Sequence, residues 1–174
     1  MAEKKKAAPK STKAEKSIKI DPQANGSAQP GFAIEKLFLK DVSVEVPNSP
    51  DIFKQREAPQ IAIELGNSGT PLADGYFEVA LKITVTSKIA DKTAFLIEVT
   101  QAGIFALRNI PEENLEMIIA ITCPNILFPY AREAISDLVI KAGFAPVLLN
   151  PINFEMLYMQ QKQQAAGNAV DTKN

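Results

Sequence analysis

The feature that most constrains this chain is a change of hydrophobic period at residues 123–133, which read C-P-N-I-L-F-P-Y-A-R-E. Before them apolar side chains alternate with period two, the repeat of a strand with one buried face. After them they recur at helical spacing. Pro124 and Pro129 come ahead of the run Tyr130, Ala131, Ala134, Ile135, Leu138 and Val139, and suit a capping segment and a first turn, where a missing N–H does no harm. Gly143 is placed to end that helix. Strands grouped ahead of helices predict an α+β domain: a four-stranded antiparallel sheet with helices packed on one face.

Within residues 32–46 the even positions Phe32, Ile34, Phe38, Val42, Val44 and Val46 are apolar. Glu35, Asp41, Ser43 and Glu45 point the other way, with Leu37 and Leu39 as interruptions, so this is one long strand with a single buried face. Pro47, Pro50, Pro59 and the pair Asn48-Ser49 bar residues 47–59 from a sheet and predict a crossing loop. Ile52 and Phe53 are its only large apolar side chains. Ile61, Ile63 and Leu65 make a shorter strand, and Gly66-Asn67-Ser68-Gly69 after it predicts a turn. Its G-x-x-G spacing is that of a KH-domain clamp, but this one lies between strand patterns, where a turn is the better reading.

Residues 76–87 and 93–107 read as two further strands. Phe77, Val79, Leu81, Ile83 and Val85 share one face of the first; on the second, Phe95, Ile97, Val99 and Gln101 lie opposite Leu96, Glu98 and Thr100. The short connection at 88–92 predicts an antiparallel hairpin. Pro111-Glu112-Glu113 opens a short helix carrying Leu115, Ile118 and Ile119. Pro151-Ile152-Asn153 opens a last helix, Phe154 to about Gln164, and residues 165–174 read as a flexible polar end.

Several function classes fall to absence. With no histidine in 174 residues, Ser-His-Asp and Cys-His catalysis and most zinc sites are excluded. Cys123 is the only cysteine, so no intramolecular disulfide forms, and without a base to pair with it reads as a buried structural residue. No clustered acidic loop, G-x-x-x-x-G-K-[ST] or G-x-G-x-x-G appears, which leaves no expected metal, ATP or dinucleotide cofactor. Asp41 and Glu45 are two carboxylates on one strand face, a shared acidic surface more readily than an acid–base pair.

Residues 1–30 carry seven lysines against three acidic residues, net +4, while the remainder carries twelve basic against seventeen acidic, net −5; together these give −1. The tail has almost no large apolar residues and is expected to be a disordered, solubilising segment. The acidic body argues against nucleic acid as its partner. No apolar run is long enough to span a bilayer and no signal-peptide core is visible, so the expected location is the cytoplasm.

The stretch C-P-N-I-L-F-P-Y-A-R-E closely resembles the signature of the SecB family of bacterial protein-export chaperones. The resemblance extends over about residues 32–161 and includes K-D-V-S-V-E-V-P-N-S-P from Lys40, T-A-F-L-I-E-V-T-Q-A-G-I-F from Thr93 and L-N-P-I-N-F from Leu149. It implies a SecB-like domain at 31–164 and dimers with a continuous sheet, stacked through their helices as a dimer of dimers. It also implies a holdase that uses no ATP, binds unfolded precursors and delivers them to the SecA motor ATPase. Asp41, Glu45, Leu96 and Glu98 match residues of the outer sheet face that in the family meets SecA, where the motor's basic, zinc-bearing C-terminal tail lands. The family's long hydrophobic groove, between crossing loop and C-terminal helical region, makes Phe53, Phe144, Phe154, Leu157, Tyr158 and Met159 the candidates for gripping a client. Flexible and aromatic side chains suit such a surface, because they offer apolar area with few fixed hydrogen bonds. Two rivals stand beside this reading: a SecB-like chaperone dedicated to another client, such as a toxin–antitoxin pair, and a small-ligand enzyme or binding protein.

Overall fold

A computed structural model describes residues 30–171. Four strands, β1 (Gly31–Glu45), β2 (Gln60–Pro71), β3 (Tyr76–Ile89) and β4 (Lys92–Arg108), precede α1 (Glu112–Met117), a π-helical segment (Ile118–Thr122), α2 (Cys123–Lys141) and α3 (Phe154–Asp171). The sheet is antiparallel with order β1-β4-β3-β2. Residues 46–59 therefore carry the chain from one edge to the other, as a crossing loop must. Ile52 is its buried anchor, and the Asn48 amide donates to the Thr93 carbonyl at 2.9 Å.

β3 and β4 form the expected hairpin, turning through Ala90 and Asp91 with φ of 49° and 61°. Left-handed backbone at both turn residues is what a two-residue hairpin needs to match strand twist. Val79, Leu81, Ile83, Val85, Phe95, Ile97 and Val99 are buried on the face toward the helices, with Leu127, Ala131, Ile135 and Val139 of α2 above them.

β1 departs from simple alternation. Its pairing with β4 shifts between Ile34 and Lys36 and again between Leu39 and Asp41, and each extra residue reverses which parity faces the core. Phe32, Ile34, Leu37, Leu39, Val42 and Val44 thus share the helix side, so Leu37 and Leu39 are no interruption. Phe38 lies opposite Ala102 on the other face, which corrects its place in the expected apolar stripe. β1 is an edge strand, and Phe32, Ile34, Leu39 and Val44 remain substantially exposed.

Gly66-Asn67-Ser68-Gly69 is not a turn: β2 runs through it, paired from Lys82 to Val79. The turn comes later, at Asp74 (φ 59°) and Gly75 (φ 75°). The glycine and asparagine are explained by what packs above them. A Cβ at residue 69 would stand 2.4 Å from Cγ2 of Ile119, and the Asn67 amide donates to the Ala120 carbonyl at 3.4 Å.

The two helices expected on either side of residue 122 are one helical run, with the right-handed helical backbone at Ile118 and Cys123 continuing through both junctions. Pro124 is in the first turn of α2, within the expected placement, but Pro129 lies inside the helix, correcting its place in a capping segment or first turn. A proline removes the donor to the carbonyl four residues back; for Pro124 that carbonyl belongs to Ala120, which Asn67 serves instead. The Cys123 N–H bonds to Ile118, five residues back, the widened turn by which a helix absorbs such a defect. Gly143 (φ 90°) ends α2: its N–H bonds to Ile140 and that of Phe144 to Val139, the Schellman pattern.

α3 begins at Phe154 as expected but continues to Asp171 rather than ending near Gln164. The anticipated flexible end is helical as far as that residue. Of the basic tail read over 1–30, only Pro30 belongs to the described residues.

Candidate functional site

Two surfaces hold the candidate residues. On the helix-free face, pairing sets Asp41 opposite Thr100, Ser43 opposite Glu98 and Glu45 opposite Leu96. On the other side of β4, Lys82, Thr84 and Thr86 stand opposite Thr100, Glu98 and Leu96. Directly opposed side chains share a face, so Asp41, Glu45, Leu96 and Glu98 come together on one patch.

Glu98 is the partnered member of that patch. The Lys82 ammonium stands 2.8 Å from one carboxylate oxygen, and the Thr84 hydroxyl donates to the other at 3.2 Å. The hydrogen bond from Lys82 is the main cause holding the Glu98 carboxyl below its usual range, against the opposing effect of desolvation. Lys82 was not among the residues picked out from sequence. Its signal was the hairpin, because antiparallel pairing of 76–87 with 93–107 puts its side chain diagonally beside Glu98.

The second surface is aromatic. Phe53 of the crossing loop stacks on Phe144 just past the end of α2 (5.2 Å between centroids), and Phe144 on Phe95 of β4 (5.0 Å). Phe95 is buried and Phe144 partly so, but Phe53 is 47% exposed. Gly143 makes this stack possible, since a Cβ there would stand 3.2 Å from the Phe53 ring.

The α3 candidates lie elsewhere. Phe154 is buried edge-on against Phe128 (6.0 Å) and acts as a core anchor, and Leu157 packs on the same core. Lys162 sits over the Tyr158 ring at 4.8 Å and donates to Glu116 of α1 at 3.1 Å. The hydrogen bond from Lys162 foremost, and then one from the Tyr158 side chain, hold the Glu116 carboxyl below its usual range. Met159 is exposed. Phe128 and the end of α2 are separated by roughly 20 Å at about 1.5 Å per residue, so the six residues form two groups at opposite ends of α2.

Between those ends runs a trough of about 680 Å³ that the sequence reading missed. Phe128, Arg132, Ser136 and Ile140 line it at a spacing of four along α2, with Pro129, Glu133 and Asp137 beside them and Leu148 and Pro151 as its far wall. The i, i+4 repeat was visible; the facing wall was not, because a segment without regular secondary structure carries no periodicity. Arg132 and Glu133 of the signature thus border open space. Cys123 is fully buried, and desolvation pushes its thiol up to about 12.

Among the described residues no group of three or more His, Cys, Asp and Glu is placed to hold a metal, and no helix is long and apolar enough to cross a membrane.

A sheet of this order with one long helical run on one face is the fold of a SecB-like chaperone. It is similar to a solved SecB-like chaperone of Mycobacterium tuberculosis in complex with an antitoxin peptide, with a TM-score of 0.60 and 19% identity over 70% of this chain and 90% of that one. The SecB family, described as preprotein translocase subunit SecB, matches residues 25–165, and the chain belongs to it. It is 62% identical to the protein-export protein SecB of Methylobacillus flagellatus, over 83% of this chain and 92% of that one. With the protein of the same name from Dechloromonas aromatica the identity is 60%, over 80% and 91%.

Proposed function

We propose that this protein is an ATP-independent holdase that keeps export-bound precursors unfolded and hands them to SecA, with no catalytic step and no cofactor. The exposed Phe53, standing on the partly buried Phe144 and the buried Phe95, is the observation that carries the reading: a rigid apolar side chain held open to water. Fully burying a phenylalanine is worth about 1.5–3 kcal/mol, so the remaining half contributes about 1 kcal/mol, far short of binding alone. Avidity over several copies on one oligomer closes that gap, and makes affinity depend on how long a client stays unfolded.

The working unit is a homotetramer, a dimer of dimers. In support, β1 is a 15-residue edge with exposed Phe32, Ile34, Leu39 and Val44, suited to pairing into a continuous sheet. The outward side of α2, with Tyr130 half-exposed and Ile140 half-exposed in the trough wall, is suited to stacking dimers. Residues 31–164 are the chaperone domain. The client path starts at Phe53 and Phe144, with Leu157, Tyr158 and Met159 further along and Phe154 as support beneath them.

SecA docks on Asp41, Glu45, Leu96 and Glu98, an acidic patch fitted to the motor's basic, zinc-bearing tail by electrostatic steering; any zinc belongs to the motor. The protein acts in the cytoplasm, with the 1–30 tail keeping it soluble. Identity of 50–62% to export proteins favours this over a dedicated toxin–antitoxin client. The test is aggregation of a slowly folding precursor, followed by light scattering: suppression at one tetramer per precursor is expected, and unchanged aggregation would refute the holdase. A small-ligand binding protein would leave the scattering untouched.

A further inference from the structure

The helix-free face is acidic, yet its central carboxylate is already occupied by the protein's own cation. We propose that Lys82 is a built-in competitor for Glu98, so that a basic partner docks only if it displaces the Lys82 ammonium. The inference rests on the proposed docking of a basic partner to this face.

Both oxygens of Glu98 have partners within the sheet: Lys82 Nζ at 2.8 Å and the Thr84 hydroxyl at 3.2 Å. Asp41 and Glu45 flank Glu98 on β1, two residues to either side of Ser43, which pairs with Glu98. Lys82 itself is half-exposed, so it is tethered by charge and not by packing. It also has somewhere to go. Gly66 opposite it on β2 has no side chain, and with Ala80, Ser68, Asn67, Lys40 and Thr100 it borders a shallow depression of about 330 Å³ beside the Lys82 stem. A lysine chain that leaves Glu98 can lie in that depression with its ammonium in water.

The consequence is selectivity by number of charges. A lone cation approaching Glu98 exchanges one ion pair for another and gains nothing net, because exposed pairs are close to equal in strength. A segment with several basic groups engages Asp41 and Glu45 as well, each without an internal competitor to remove, and the sum displaces Lys82. The structure assigns Lys82 the role of raising the threshold against weakly basic polypeptides, so that a client of that kind does not occupy the motor's docking face.

The experiment is titration of the full-length protein with purified SecA by isothermal calorimetry at low and at physiological salt, in wild type, K82Q, K82R, D41N and E45Q. K82Q is expected to bind about two- to five-fold more tightly, the worth of one exposed ion pair, with the gain shrinking as salt rises. K82R restores a cation and should return the affinity to the wild-type value. D41N and E45Q should bind more weakly. If they do and K82Q binds no more tightly than wild type, the competitor role is overturned while the docking face stands. Should D41N and E45Q bind as wild type does, the docking face itself is wrong and the role of Lys82 falls with it.

Discussion

Gly69 of β2 lies so close beneath Ile119 of the π-helical segment that a Cβ at residue 69 would stand 2.4 Å from Ile119 Cγ2. Two residues away Asn67 supplies the donor that Pro124 denies to Ala120. The G-N-S-G stretch is therefore a strand pared down to seat a defective helical turn, and the defect belongs to the family signature on the helix above.

That packing predicts the effect of Gly69→Ala. Ile119 is β-branched and stiff, so the added methyl forces backbone or helix to move, and overpacking of this kind costs about 1–3 kcal/mol. Urea unfolding should show a loss in that range. Ser68→Ala, at an exposed neighbour on the opposite face, should stay within about 0.5 kcal/mol of wild type.

Phe53 and Phe154 were grouped as client residues from sequence, and the structure separates them by burial, 47% against 3% exposed. Phe53→Ala should cost only about 1 kcal/mol, the worth of its buried half, and weaken suppression of precursor aggregation. Phe154→Ala should cost about 3–5 kcal/mol, seen first in denaturation. A Phe53→Ala variant that melts early yet protects precursors fully would reverse these assignments.

Much of this was legible in the chain. Period-two alternation gave β3 and β4 with their inner faces, and three prolines gave the crossing loop. The resemblance picked out Asp41, Glu45, Leu96 and Glu98, which the β1–β4 pairing gathers on one patch. What escaped was set by partners distant in sequence. A β-bulge is defined by the strand it pairs with, so Leu37 and Leu39 looked misplaced; Gly69 is small because of Ile119, fifty residues away. Pro129 looked like a boundary because local propensity opposes an internal proline, yet α2 is held by tertiary packing through Leu127, Ala131, Ile135 and Val139.

Gly143 couples the end of α2 to the aromatic stack. With φ at 90° and the Phe53 ring 3.2 Å from any Cβ, Gly143→Ala should lose about 1–2 kcal/mol in the backbone conformation and tilt Phe53 off Phe144. The expected result is a lower denaturation midpoint together with weaker protection of precursors, the midpoint falling further than in Phe53→Ala.

Cys123 predicts an alkaline limb of stability. Burial raises its folded-state value to about 12 from about 9, so the folded protein holds the proton more tightly than the unfolded chain. That contribution is complete below about pH 9 and is lost as pH climbs from there towards 12, at up to about 1.4 kcal/mol per pH unit. Stability of wild type and Cys123→Ala, compared by urea unfolding between pH 8 and 11, should therefore converge as pH rises. Thiol reagents should label Cys123 only after unfolding.

The proposed docking of SecA to the sheet face predicts salt-sensitive binding, because the charges are exposed and screened over about 10 Å at 0.1 M salt. The double charge reversal Asp41→Lys with Glu45→Lys should abolish binding in pull-down without altering precursor protection. Binding that survives both salt and reversal would move SecA to another surface.

Native mass spectrometry of the full-length protein, alone and with an unfolded precursor, is the most direct measurement of whether assembled copies leave Phe53 and Phe144 open to a non-native chain. Expected is a mass of four copies alone, four copies plus one precursor when mixed, and loss of the second species in Phe53→Ala combined with Phe144→Ala while the first persists. A tetramer that never takes up precursor, or takes it up equally well without the two rings, would contradict it.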